Sequence, residues 1–349
     1  MAAGAAATAA TTSDAETDIE AAPPPAAETT TIVEGQAPPG WAEDDRKCVT
    51  VIFNPVSGQG DPEERKRRIE EALAEHGYRC QHLVTTKEKG ARHFAEEALR
   101  DGVDLLAVSG GDGTVVETMA ALIGTNVPLA IFPAGTGNLL SVNLALPKEV
   151  PQGVHAALFG DKRPLDIARI VLDNRDDEGR YFAILAGAGY DAKVIHDADR
   201  EAKNRFGLFA YFWAALRNLG KKSVVTRLFL DDARPFRRRA KSVMVANMGR
   251  IQGGVDVVPD ARPDNGMLEV TILKAESLRD WLSLVWSALT RTLREERAIE
   301  YRTARRVRVE FAFPQPIQFD GEDAGHAKSF RAEIIPNAVQ VMVPKEAPV

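Results

Sequence analysis

The 349-residue sequence contains only two cysteines, Cys48 and Cys80, far apart and outside any CxxC or Cys/His cluster. That excludes a disulfide framework, offers no zinc-ligand spacing and suits a reducing cytosol. No stretch reaches about 18 uninterrupted apolar residues, so no membrane-spanning helix is expected. The chain ahead of Arg46 has no Lys or Arg at all, while nine acids fall there. Without basic residues or a continuous apolar run, that segment reads neither as a secretory signal nor as a transit peptide. Its Ala, Thr, Pro and Glu composition predicts a disordered acidic tail over 1–45.

The acidic tail also hides the charge of the rest. The formal net charge is -6. Setting the nine tail acids aside leaves 41 acids against 44 bases, a mildly basic body. Such a body tolerates an anionic cosubstrate or membrane surface and falls short of a dedicated nucleic-acid binder, so no nucleic acid is expected as a partner. With 44% hydrophobic residues the chain holds enough apolar material for two cores.

From Cys48 onward strand and helix patterns alternate. The spacing predicts strands over 48–55, 79–85, 104–109 and 128–133, with helices over 63–77, 91–100 and 115–123 between them; Ile69, Leu73 and His76 mark the buried side of the first helix. Alternation of this kind implies βαβ units and a parallel sheet, with ligands at the carboxyl ends of its strands. After about Leu165 the chain turns to short β-rich runs separated by Gly, Pro, Asp and Asn, which predict an antiparallel sheet or sandwich. Two helical stretches interrupt it near 200–219 and 277–297. The expected fold is a Rossmann-like parallel-sheet α/β domain over 46–164, then a β-sandwich-like domain over 165–345, with a cleft between them as the favoured place for a ligand.

Three glycine-rich segments follow predicted strands: NPVSGQG (54–60), SGGDGTVVE (109–117) and PAGTGN (133–138). Any one alone reads as a tight turn. Three at one sheet edge read as a phosphate cradle, in which amides of Gly110, Gly111 and Gly113 and the start of a helix near Thr114 meet phosphate oxygens. The cradle has no Walker lysine, because no GxxxxGK[ST] occurs. Far downstream, QFDGEDAG (318–325) holds two carboxylates, Asp320 and Glu322, around an Asp-Gly pair that suits a hairpin turn.

Asn54-Pro55-x-Ser57-Gly58, Gly110-Gly111-Asp112-Gly113-Thr114, Pro133-x-Gly135-Thr136-x-Asn138 and Asp320-Gly321-Glu322 together resemble the diacylglycerol kinase catalytic superfamily, which includes bacterial soluble lipid kinases and sphingosine kinases. The resemblance spans about 47–345. It implies ATP contacts at Asn54, Pro55, Ser57, Gly58, Thr85, Gly110, Gly111, Asp112, Gly113, Thr114, Val115, Val116 and Thr136, with Mg²⁺ as second cofactor. Asp112 is a candidate Mg²⁺ ligand or organiser of the cradle. Glu117 matches an acid the family keeps one turn into the helix, or is a solvated helix-face acid. A hydroxyl attacking a γ-phosphoryl group needs a carboxylate to take its proton, so Glu322 is the candidate general base, with Asp320 supporting it or the two roles exchanged. The family's second-domain Mg²⁺ loop corresponds to 259–268, with Arg262, Asn265 and Met267 as candidate ligating positions. Asn265 stands where an Asp is usual and brings no charge; otherwise Asp264-Asn265-Gly266 is a plain turn. Asp191 and Arg205 fall where the family contacts substrate or nucleotide.

An aromatic stretch, KNRFGLFAYFWAALRNLGKK (203–222), reads as buried core or as a lipid-capturing helix with basic ends. The arginine-rich runs 234–241 and 301–310 read as solvated faces that could add to a membrane-facing surface. The expectation is a cytoplasmic, peripherally membrane-associated ATP-dependent lipid kinase whose acceptor is a diacylglycerol, a sphingoid base or a ceramide. The rivals are an NAD kinase, which shares GGDGT, and a nucleotide- or lipid-binding regulator of the same fold without turnover.

Overall fold

Four runs form the first sheet in the computed structural model, three of them largely buried and the second, at the edge, half-exposed: β1 (Cys48–Phe53), β2 (Arg79–Val84), β3 (Leu106–Gly110) and β4 (Pro128–Pro133). The model describes residues 47–58, 60–134, 138–175, 179–189, 223–250, 258, 260–275, 277, 279–280, 283, 287 and 297–345. The tail over 1–45 and the helices expected near 200–219 and 277–297 thus lie wholly or mostly outside the described residues.

The connecting helices follow from local signals. In α1 (Pro62–Glu75) the Asp61 side chain accepts from the Glu63 amide, and Pro62 opens the first turn. It buries Ile69, Ala72 and Leu73. His76, expected on that buried side, is instead the exposed C-cap, and Ala72 takes its place, because Gly77 turns the chain out of the helix at φ +77. In α2 (Ala91–Arg100) Ala91, Ala95 and Ala98 recur at helical spacing and are buried. The next helix, α3 (Asp112–Leu122), begins three residues before the expected start. Two further helices, α4 (Leu139–Asn143) and α5 (Val150–Phe159), were not anticipated, the first because it is a single turn and the second because Pro151 and Gly153 break its pattern.

The β-rich part comprises β5 (Asp161–Leu172), β6 (Arg180–Phe182), β7 (Leu185–Ala188), β8 (Val224–Leu230), β9 (Phe236–Ala240), β10 (Ser242–Ala246), β11 (Leu268–Leu273), β12 (Ile299–Ala304), β13 (Arg306–Phe319) and β14 (Glu322–Val343). The arginine-rich runs are therefore strands: 236–240 lies in β9, and 301–310 spans β12 and β13. Within the first part β1 pairs in parallel with β2 and β3, and β3 with β4. In the second part the pairs are antiparallel.

One strand joins the two parts. The first half of β14 pairs with β13 and its far end pairs in parallel with β4, at Gln340↔Pro128 and Val341↔Leu129. All the strands thus share one sheet, and Arg46–Val349 forms one compact unit. The position 164/165 falls inside β5. Val339, Val341 and Val343 of β14 share a core with Ile52, Leu106, Val108 and Leu129. No helix among the described residues is long and apolar enough to cross a membrane.

Candidate functional site

The carboxyl ends of the parallel strands lead directly into the candidate residues. Asn54 follows β1, Thr85 follows β2, Gly110 ends β3 and Ala134 follows β4. The Asn54 amide donates to Ser109 O at 2.9 Å and the Thr85 amide to Phe53 O at 2.9 Å, so both loops leave the sheet at one level.

Side chains then tie the loops together. Asn54 Nδ2 donates to Thr114 Oγ1 at 2.8 Å, and its Oδ1 accepts from the Val56 amide at 3.1 Å. Ser57 Oγ accepts from the Gly111 amide at 3.2 Å. Asn138, 7% exposed, donates from Nδ2 to Gly110 O at 3.1 Å, and the Ala134 amide donates to the same carbonyl at 3.1 Å. Pro55 and Gly58 complete the first turn, with Gly58 at φ +90. Gly135, Thr136 and Gly137 lie outside the described residues, as do Asp191 and Arg205.

Gly111 is the N-cap of α3, and Asp112, Gly113 and Thr114 form its first turn. The glycine segment is thus the helix start itself rather than a loop ahead of it, and the orphan donors are the first-turn amides. A Cβ on Gly110 would sit 2.7 Å from Thr114 Cβ, so only glycine fits there. Val115 and Val116 are 0% and 8% exposed, with their side chains in the core beneath the helix, and the Val115 amide donates to Gly111 O.

The acidic hairpin reaches this helix start. Phe319 pairs with Glu322 across Asp320-Gly321, which take φ +48 and +86, the left-handed pair a tight two-residue hairpin requires. Glu322 Oε1 stands 2.6 Å from where a Cβ on Gly113 would lie. The side chain is exposed, and only the missing Cβ leaves room for its carboxylate over the first turn of α3.

Asp112 and Asp320 are differently employed. Asp112 accepts from the Leu139 amide at 2.9 Å and the Leu140 amide at 3.1 Å, which fixes the turn into α4. Burial raises its carboxyl above the ordinary range while those two amides oppose the shift. Asp320 accepts from the amides of Ala183 at 2.7 Å, Ile184 at 2.9 Å and Leu185 at 2.9 Å. Burial pushes it up to about 7, reinforced by the Asp112 charge, and the three amides pull the other way. Asp320 therefore anchors the hairpin and leaves Glu322 as the carboxylate directed at the helix start. Glu117 is not idly solvated: its Oε2 accepts from the Ala91 amide at 3.1 Å and caps α2, whose own cap, Gly90, has no side chain.

In the second-domain loop, Asn265 Oδ1 accepts from the Met267 amide at 2.9 Å, and Arg262 is exposed. The loop is gathered by a residue sequence reasoning missed. Asp166, 1% exposed in β5, accepts from the Gly266 amide at 2.6 Å and the Asn337 amide at 2.8 Å. A charged residue inside an apolar strand, PLDIARI, was the available signal. Among the described residues no three His, Cys, Asp or Glu side chains gather as a metal cage. Mg²⁺ commonly binds one or two carboxylates plus substrate phosphates, and the exposed Glu322 carboxylate suits that mode.

Arg65 is the second residue missed. From α1 it donates to Ser57 O at 2.6 Å and Asn54 O at 2.7 Å and lies over the Phe53 ring at 4.6 Å, clamping the back of the first loop. In PEERKRRIEE nothing distinguishes it from its exposed neighbours.

Residues 48–170 match the family model described as diacylglycerol kinase catalytic domain, and 185–343 match the model described as YegS C-terminal NAD kinase beta sandwich-like domain. A diacylglycerol kinase of Bacillus subtilis strain 168 is 25% identical over 303 residues, which is 86% of this chain and 97% of the relative. The crystal structure of a diacylglycerol kinase from Bacillus anthracis str. Sterne shares the fold with TM-score 0.63 at 20% identity, over 87% of this chain and 99% of that one. Yeast NADH kinase complexed with NADH shares it more distantly, with TM-score 0.50 at 12% identity, over 86% of this chain and 85% of that one.

Proposed function

Because the chain belongs to the diacylglycerol kinase catalytic family, we propose that it is an ATP-dependent lipid kinase that transfers the γ-phosphoryl group to a lipid hydroxyl at a membrane surface. The observation that carries the reading is the Glu322 carboxylate over Gly113, at the first turn of α3. Phosphate oxygens of ATP meet the amides of Asp112, Gly113 and Thr114 and the positive end of the helix. Asn54 and Ser57 hold the neighbouring loop against that turn. The acceptor oxygen attacks the γ-phosphorus, its proton passes to Glu322, and the bond to the β-bridging oxygen breaks to release ADP. Mg²⁺, held by phosphate oxygens and by Glu322 or Asp112, would neutralise charge on the phosphates. The metal roles of Asp112 and of Arg262, Asn265 and Met267 have weaker support than that of Glu322, since both Asp112 oxygens and Asn265 Oδ1 are already engaged by backbone amides.

The test is radiolabelled ATP incubated with a total lipid extract, followed by identification of the labelled product, which names the acceptor. Glu322→Gln should retain ATP binding and lose about 10² to 10⁴ in turnover. Wild-type turnover in that variant would remove Glu322 from the base role. The second reading, phosphorylation of NAD, is favoured by the likeness of fold to the yeast NADH kinase. Labelled NADP from ATP and NAD, with no labelled lipid, would establish it instead.

A further inference from the structure

We infer that the outer face of the β9-β8-β13-β14 sheet is a docking surface for an anionic lipid bilayer. The inference deepens the reading above by naming the face that meets the membrane. Strand alternation decides which side chains share it. Leu228, Val307, Val309, Phe330 and Ala332 are buried toward the core, so the residues between them lie on the other side. There the pairing sets Arg237 beside Arg227, Phe229 beside Arg308, and Arg308 beside Arg331, with Arg306 and Arg239 on flanking rows. Six arginines thus share one sheet face with two glutamates, Glu310 and Glu333, while Asp232 meets Arg306 at its edge. This excess of positive charge is concentrated on one face of a body that holds 44 bases against 41 acids.

The chemistry of the face selects its partner. Every cation named is arginine, whose planar fork takes two phosphate oxygens at once. Val225, 45% exposed, adds an apolar contact between the arginines. Phe229 is covered by Arg308 at 3.9 Å and by Arg227 at 4.8 Å. A ring so covered is not available to stack a base, which disfavours single-stranded nucleic acid. A broad sheet face with distributed arginines suits a two-dimensional array of phosphate headgroups, each basic residue adding attraction near the surface.

The experiment is cosedimentation of the full chain with vesicles of phosphatidylcholine alone or mixed with phosphatidylglycerol. Binding is expected only to the mixed vesicles and should weaken as salt rises. Joint replacement Arg227→Ala, Arg237→Ala and Arg239→Ala should weaken it about a hundredfold, about fivefold per arginine. The same variant should keep its melting temperature and its turnover on detergent-dispersed acceptor. Equal binding to neutral vesicles, no binding to either, undiminished binding by the triple variant, or preference for a single-stranded RNA over the mixed vesicles would each overturn the inference. If vesicle binding and its loss occur as described but no lipid is ever phosphorylated, the docking surface stands and the kinase reading falls.

Discussion

Gly110, Gly111 and Gly113 lie within four residues and serve different ends. A side chain at Gly110 would strike Thr114 and disturb the Asn54 contact. At Gly111 the nearest atom to a Cβ is Ser57 Oγ at 3.8 Å, ordinary contact distance, so an alanine fits. Gly113 is the informative position, because the only close atom is the end of the Glu322 side chain, which can swing away. Inside a helix, alanine is more stable than glycine by roughly 0.5 to 1 kcal/mol. Gly113→Ala should therefore keep or raise the melting temperature while displacing the carboxylate and lowering turnover by about tenfold or more, measured as kcat beside a thermal melt. Unchanged kcat would mean that the carboxylate over Gly113 has no part in turnover.

At the scale of elements, the acidic hairpin couples chemistry to folding. Asp320 bonds the amides of the 183–185 segment while burial raises its carboxyl to about 7 from an ordinary value of 3.8. The native state thus holds this proton more tightly than the unfolded chain. Its contribution to stability is full below the ordinary value and is lost as pH rises through about 7. Urea unfolding across this window should show wild-type stability falling with rising pH relative to Asp320→Asn, which keeps the turn and cannot titrate. Parallel pH profiles for the two proteins would show that Asp320 does not titrate there. The turn was legible because Asp-Gly between alternating residues is a strong local signal. The start of α3 was not, since Gly113 in DGTVV, close behind Gly110 and Gly111, argues against helix locally. There the Asp112 contacts with α4 and the burial of Val115 override propensity, and both are tertiary facts. The four parallel strands were readable from their apolar runs. The arginine-rich β9 was not, because charge on an exposed strand face masks the alternation that defines it.

The whole molecule turns on β14, which links the parts of the sequence on either side of 164/165. Composition does change near that point, but pairing does not respect it: β5 runs through it, and β14 returns from the far end of the chain to flank β4. A fragment comprising 46–164 would keep β1 to β4 and lose Val339, Val341 and Val343, together with Leu165 and Ile167, all at most 2% exposed in the same core. At roughly 1.5 to 3 kcal/mol for each fully buried aliphatic side chain, five such losses are comparable with the roughly 5 to 15 kcal/mol that holds a typical domain together. The fragment would also bare β4 as an unpaired apolar edge, a template for aggregation. We expect 46–164 expressed alone to lack a cooperative thermal transition and to aggregate, and a chain cut after residue 335 to fail in the same way although every crevice residue is present. A dispersed amide spectrum and a sharp melt for 46–164 would show that the nucleotide half folds unaided, and that β14 lies against a finished sheet rather than completing it.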